Sequence, residues 1–129
     1  MPKYLADTTV IIEHSRGDTK AKEFLFKAFP YISTVTIAEL IQGVRNTEEL
    51  RRVQKIGKAL VQIHIHTSIS QKAIQLLAQF HLSHGLLYLD ALIAATAIEK
   101  NLTLVTDNIK DFHFIKSLKL LPQREALNS

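Results

Sequence analysis

Apolar and polar positions along the chain fall into two alternating kinds of segment. "KYLAD" (3–7) and "YISTV" (31–35) are short apolar runs with strand-like content, each leading into a helical pattern. "VQIHIH" (61–66) alternates with a period of two, which places Val61, Ile63 and Ile65 on one face of a strand. "LTLVT" (102–106) predicts a fourth strand. Helices are predicted between them. Residues 20–29 carry Phe24, Leu25 and Ala28 as an apolar stripe, and a second helix begins at Thr36 and reaches about Val44. Within 46–60, Asn46 stands as an N-cap with Glu49 three residues on, and Leu50, Val53 and Ile56 recur at helical spacing. Helices over 68–80 and 89–100 complete the series. Strands alternating with helices predict an α/β sandwich around a mostly parallel sheet. With no repeat, linker or low-complexity segment, residues 1–129 predict a single domain.

One helix breaks its own pattern. "LYLDALIAATAIEK" (87–100) would suit a buried helix except for Asp90, and an unpaired buried carboxylate is expensive. Asp90 could cap a helix that starts at Ala91, or it could have a task, since Ile93, Ala94 and Ala97 share its face. Three other acids have local explanations when taken singly. Asp7 could cap the helical turn near Thr8. Glu39 completes a capping box with Thr36. Asp107, in "TDN", could form an Asx-turn.

Together they say more. Asp7 and Asp107 end strands, Glu39 opens the helix after another strand, and Asp90 opens the helix that feeds the last. Ligands of open α/β sheets bind outside the carboxyl ends of the strands, so parallel strands would bring at least three of these acids to one edge. Crowded carboxylates raise one another's pKa unless a cation neutralises them. All the donors are oxygen, which suits Mg²⁺ or Mn²⁺ rather than zinc. A metal there would generate hydroxide and stabilise the charged transition state of phosphodiester hydrolysis.

A formal charge of +4 and a pI near 9.4 lean towards a polyanionic partner such as nucleic acid. The chain has no cysteine, which excludes disulfides and thiolate zinc sites. No apolar stretch reads as a signal peptide or a membrane span, so a soluble cytoplasmic protein with no membrane partner is expected. His64 and His66 share one strand face, and His81 and His84 one helix face. These pairs offer a rival zinc or acid–base site, although the polar face of an edge strand explains the first pair more simply. Arg45, Arg51, Arg52, Lys55 and Lys58 cluster around the helix over 46–60, as a solvated face or as a surface for RNA or an acidic partner. Phe24, Phe26, Phe29, Tyr31 and Phe80 are expected in the core or an interface.

"YLADTTVII", "ISTVTIAELIQGV" and "HGLLYLDALIAATAIEKNLTLVTDNIKDF" resemble, in order and at matching spacing, the successive motifs of PIN-domain ribonucleases, specifically the VapC toxins of VapBC toxin–antitoxin pairs. The similarity covers nearly the whole chain. It implies a three-layer α/β/α PIN fold and an Mg²⁺- or Mn²⁺-dependent endoribonuclease toxin acting on RNA. It further implies a homodimer, neutralised by a cognate VapB-type antitoxin. The family's metal-binding acids fall on Asp7, Glu39 and Asp90. Counted back from Phe112, the fourth position falls on Asn108, with Asp107 in the intervening place, and either could bind the metal or its water. Thr8 and Thr9 match the polar positions after the first acid, and Thr106 the strand-end threonine; these would order ligands or waters. Arg45, Arg51, Arg52 and Lys55 are the candidate RNA contacts.

Two rivals follow. A PIN-like module could bind RNA or protein without cutting. A receiver-like phosphoacceptor domain would need an acidic pair after the first strand and a lysine after the last. Here Thr8 and Thr9 follow Asp7, and no lysine directly follows "LVT".

Overall fold

A computed structural model describes residues 3–15, 17 and 19–127. Five parallel strands form one sheet: β1 (Tyr4–Ala6), β2 (Tyr31–Ser33), β3 (Gln62–Ile63), β4 (Thr103–Val105) and β5 (Leu120–Leu121). Their spatial order is β3-β2-β1-β4-β5. Among the described residues, seven helices connect and cover them: α1 (Thr8–Ser15), α2 (Thr19–Ala28), α3 (Thr34–Gln42), α4 (Thr47–Ala59), α5 (Thr67–His84), α6 (Tyr88–Glu99) and α7 (Gln123–Leu127). This order is not the 2-1-3-4-5 arrangement of receiver domains, which removes that rival on topology.

The central strands are mostly apolar because helices cover both faces of the sheet. On one face, Leu5 and Leu104 pack with Ile69 and Leu76 of α5, Ile93 of α6, and Phe112. On the other, Ala6, Ile32 and Val105 meet Val10 and Ile11 of α1 and Phe24 of α2. The three-layer expectation holds. Every residue of α6 from Ala91 to Ala97 is buried, since this helix contacts α5, α3 and β4. A helix enclosed on several sides is apolar all round, which explains the sequence surrounding Asp90.

Several boundaries differ from the sequence reading. β3 is only two residues long, and Val61 and Ile65 are exposed, because this edge strand pairs with β2 alone. β5, on the opposite edge, was not anticipated. α3 starts two residues before Thr36, with the Ser33 hydroxyl accepting the Val35 N–H at 3.1 Å. Ser33 is therefore the cap, and the proposed Thr36–Glu39 capping box is not formed. α6 begins at Tyr88 after Leu87, so Asp90 lies inside the first turn and is not its cap. α5 runs on to His84 and ends where Gly85 adopts a left-handed φ of 72°, a conformation glycine takes without steric cost. The cap of α4 matches expectation, with Asn46 Oδ1 accepting the Glu49 N–H at 2.9 Å. Phe24 is buried, whereas Phe26 and Phe29 are exposed. Among the described residues, no helix is long and apolar enough to cross a membrane.

Candidate active site

The chain runs β1, β2, β3 towards one edge of the sheet, then returns to place β4 and β5 on the other side of β1. That reversal falls between β1 and β4, and the crevice outside such a point is where open α/β sheets bind ligands. Asp7 directly follows β1 and Thr106 directly follows β4. Backbone pairing continues past the strands, with the Asp7 N–H donating to Val105 O at 3.0 Å.

Asp7 is almost fully buried, at 4% exposure, and is held by hydroxyls. Its Oδ2 accepts the Thr106 hydroxyl at 2.7 Å and the Thr9 hydroxyl at 3.3 Å. Thr106 Oγ1 in turn accepts the Asn108 N–H at 2.9 Å, so strand end and following turn are tied to one carboxylate. Across the crevice, the Thr8 hydroxyl donates to Glu39 Oε1 at 3.0 Å. Because Ser33 caps α3, the Glu39 carboxylate is free to make this contact. Thr8, Thr9 and Thr106 thus hydrogen-bond the carboxylates of Glu39 and Asp7.

Asp90 is half-buried in the first turn of α6. Its pKa is raised from 3.8 to about 6, first by burial and then by repulsion from Asp7, Asp111 and Glu39. Four carboxylates therefore share one electrostatic environment. Asp111 was missed by the sequence reading. It closes a 3₁₀ turn (Ile109–Asp111) in which Asn108 Nδ2 donates to Asp111 Oδ2. Three residues make one turn of a 3₁₀ helix, so the spacing Asn108-x-x-Asp111 was the available signal. Asp107 is placed differently: it is exposed, and its Oδ1 accepts the Gln123 N–H at 3.3 Å.

Would these residues suit a divalent ion? Among the described residues, no three acids or histidines already stand as a closed ligand set. The carboxylates repel one another across the crevice without converging on one point. Mg²⁺ tolerates such a site, since it keeps several waters and takes only one or two carboxylates. An all-oxygen donor set, and a carboxyl group already pushed towards protonation first by burial and then by its acidic neighbours, both fit a cation there.

The histidines do not compete. His66 precedes α5, while His81 and His84 lie at its far end, roughly 22–27 Å away at ~1.5 Å per residue. His81 Nδ1 sits 2.8 Å from Leu86 O, and the His84 ring stacks on Phe114 at 4.2 Å. They form no common site.

The basic cluster divides into two kinds. Arg45 grips Glu49, with Nη2 at 2.7 Å from Oε2, and Arg52 pairs with Glu48 at 2.7 Å. The ion pair raises the Arg45 pKa and lowers that of Glu49. Arg51 and Lys55 are exposed, and no carboxylate partner holds them among the described residues. A cavity of ~260 Å³ lined by Thr8, Glu39, Gly43, Glu49 and Arg52 joins the acidic crevice to α4.

Residues 4–116 match the PIN domain family. Ribonuclease VapC10 of Mycobacterium tuberculosis is 32% identical over 123 residues, covering 89% of this chain and 90% of that protein. Ribonuclease VapC1 of Rickettsia felis is 32% identical over 129 residues, covering 91% and 93%. A toxin–antitoxin complex from Klebsiella pneumoniae contains a chain of the same fold, with a TM-score of 0.78 and 27% identity. That match covers 93% of this chain and 97% of the other.

Proposed function

Because this chain belongs to the PIN-domain family, we propose that it is a VapC-type endoribonuclease toxin, dependent on Mg²⁺ or Mn²⁺ and restrained by a VapB-type antitoxin. The observation that carries this reading is the group of four carboxylates, Asp7, Glu39, Asp90 and Asp111, at the reversal point of the sheet. A module that binds without cutting has no need to keep these charges crowded together.

Asp7, Glu39 and Asp90 are the residues to hold the ion. A bound divalent cation supplies charge that activates water and offsets the negative phosphate. Thr106 and Thr9 fix the Asp7 carboxylate, and Thr8 fixes that of Glu39, so the ligands are oriented before substrate arrives. Asn108 and Asp111 complete the rim, and their mutual hydrogen bond favours Asn108 over Asp107 as the fourth position. Asp107 is engaged by the Gln123 backbone instead. Arg51 and Lys55 are the free cations nearest in kind to a phosphate contact.

An acidic crevice also suits a guanidinium from the antitoxin, which could displace metal or water. Pairing of two copies finds a candidate face in Ile74, Leu82, Leu87 and Tyr88, which are exposed and uncharged. RNA as substrate puts the activity in the cytoplasm. The deciding experiment is RNA cleavage by the purified protein with and without Mg²⁺, Mn²⁺ and EDTA. Cleavage should require the metal, stop with chelator and return with excess metal. Undiminished cleavage in excess EDTA would overturn the reading.

A further inference from the structure

A second cavity, of ~670 Å³, opens at the other end of the sheet from the carboxylates. Its wall includes Lys3 just before β1, Tyr31 at the start of β2 and Leu102 just before β4, together with His64, His66 and Lys100. Among the described residues, no carboxylate lines it. Among the described residues, none of Lys3, His64, His66 and Lys100 is ion-paired. Lys119 adds a further charge at the margin, donating to Oδ1 of the lining residue Asn101 at 3.0 Å. Two lysines and two imidazoles thus face one concavity without a counter-charge, and a third lysine stands beside it.

We propose that this cavity binds a free nucleotide through its phosphates. The volume falls within the ~300–1,000 Å³ typical of small-ligand sites. Cationic walls without acids favour an anion, and hydrogen bonds from charged donors to phosphate oxygens are the strong kind. Tyr31 supplies one half-buried ring beside the cations, enough for a single base. Surfaces that track single-stranded RNA instead present successive aromatic platforms, and here, among the described residues, Tyr31 is the one aromatic ring in the wall apart from the two imidazoles. This also gives the His64–His66 pair a use that the carboxylate site does not.

The test is titration of the full-length protein with ADP in EDTA, followed by amide NMR shifts and calorimetry. Chelator keeps metal-held nucleotide away from the acids, so the outcome is independent of the nuclease assignment. Expected is saturable binding with a Kd of roughly 1 mM or tighter. Shifts should centre on Lys3, Tyr31, His64, His66 and Lys100. The Lys3→Gln/Lys100→Gln double variant should weaken binding about tenfold or more, as loss of charge-assisted hydrogen bonds requires. The same variant should keep the wild-type melting temperature, which shows it is folded. No saturation, shifts centred on Asp7 and Asp90, or unchanged affinity in the double variant would each overturn the proposal. So would an RNA oligonucleotide shifting these residues while ADP does not, because the surface would then be an RNA-backbone contact.

Discussion

Asp90→Asn keeps the shape of the side chain and removes one charge from the carboxylate group. In the metal-free protein, Asp90 titrates at about 6 instead of 3.8 because burial and three neighbouring carboxylates disfavour its ionised form. At ~1.4 kcal/mol per pH unit, that displacement sets a ceiling of about 3 kcal/mol on the destabilisation. Solvent screening of a half-exposed group leaves on the order of 1–2 kcal/mol. The sign follows from linkage. A carboxyl whose pKa is raised by folding contributes stability that is complete below about pH 4 and lost as pH rises through about 6. In EDTA at pH 7.5 the Asn variant should therefore melt roughly 4–8 °C above wild type. At pH 4 the two should melt together. With Mg²⁺ present the order should narrow or reverse, because wild type gains more from the cation. RNA cleavage should fall by more than the roughly 10–100-fold typical of losing a group that merely supports a metal ligand. Differential scanning calorimetry at the two pH values and a cleavage time course provide the readouts. If Asp90 were simply a polar residue in a helix turn, Asn would serve as well. Equal melting at both pH values with near-normal cleavage would refute the electrostatic argument outright.

The remaining predictions concern neighbouring residues. Asp111→Asn should reduce cleavage by roughly 10–100-fold. Asp107→Asn should stay within about twofold of wild type, as an exposed surface change does; a reversal of that order would return the fourth position to Asp107. Metal affinity should weaken as pH falls through about 6, because Asp90 must lose its proton to take the ion. Flat Mn²⁺ affinity between pH 5 and 7.5, measured by electron paramagnetic resonance, would exclude Asp90 from the ligand set. Neutralising Arg51 and Lys55 together should lower the salt dependence of RNA binding by about 0.7 per lost phosphate contact. An unchanged slope would make them an ordinary solvated helix face.

Why some of this was legible and some was not comes down to how many residues carry each signal. β1, β2 and β4 are enclosed on both faces, so even three residues read as apolar runs, and the alternation with helices predicted the parallel sheet. β5 has only two residues, and no periodicity can show in so short a segment. β3 misled in the opposite way, since its alternating pattern continues beyond the two residues that pair. Among the acids, local rules competed with the fold. Thr36 and Glu39 satisfy the spacing of a capping box, yet Ser33 lies three residues earlier and caps α3 first. That displacement leaves the Glu39 carboxylate to meet Thr8 across the crevice, a contact between residues 31 apart that no local motif encodes. Asp90 is the reverse case. No capping role holds it, and the surrounding helix argues against any charge, so it contradicts both local propensity and burial. Residues that break such rules in a stable fold concentrate where function maintains them. The structure gives that conflict a location. The first turn of α6 brings the carboxylate to Asp7 and Glu39, where a cation would turn three mutual repulsions into shared ligation.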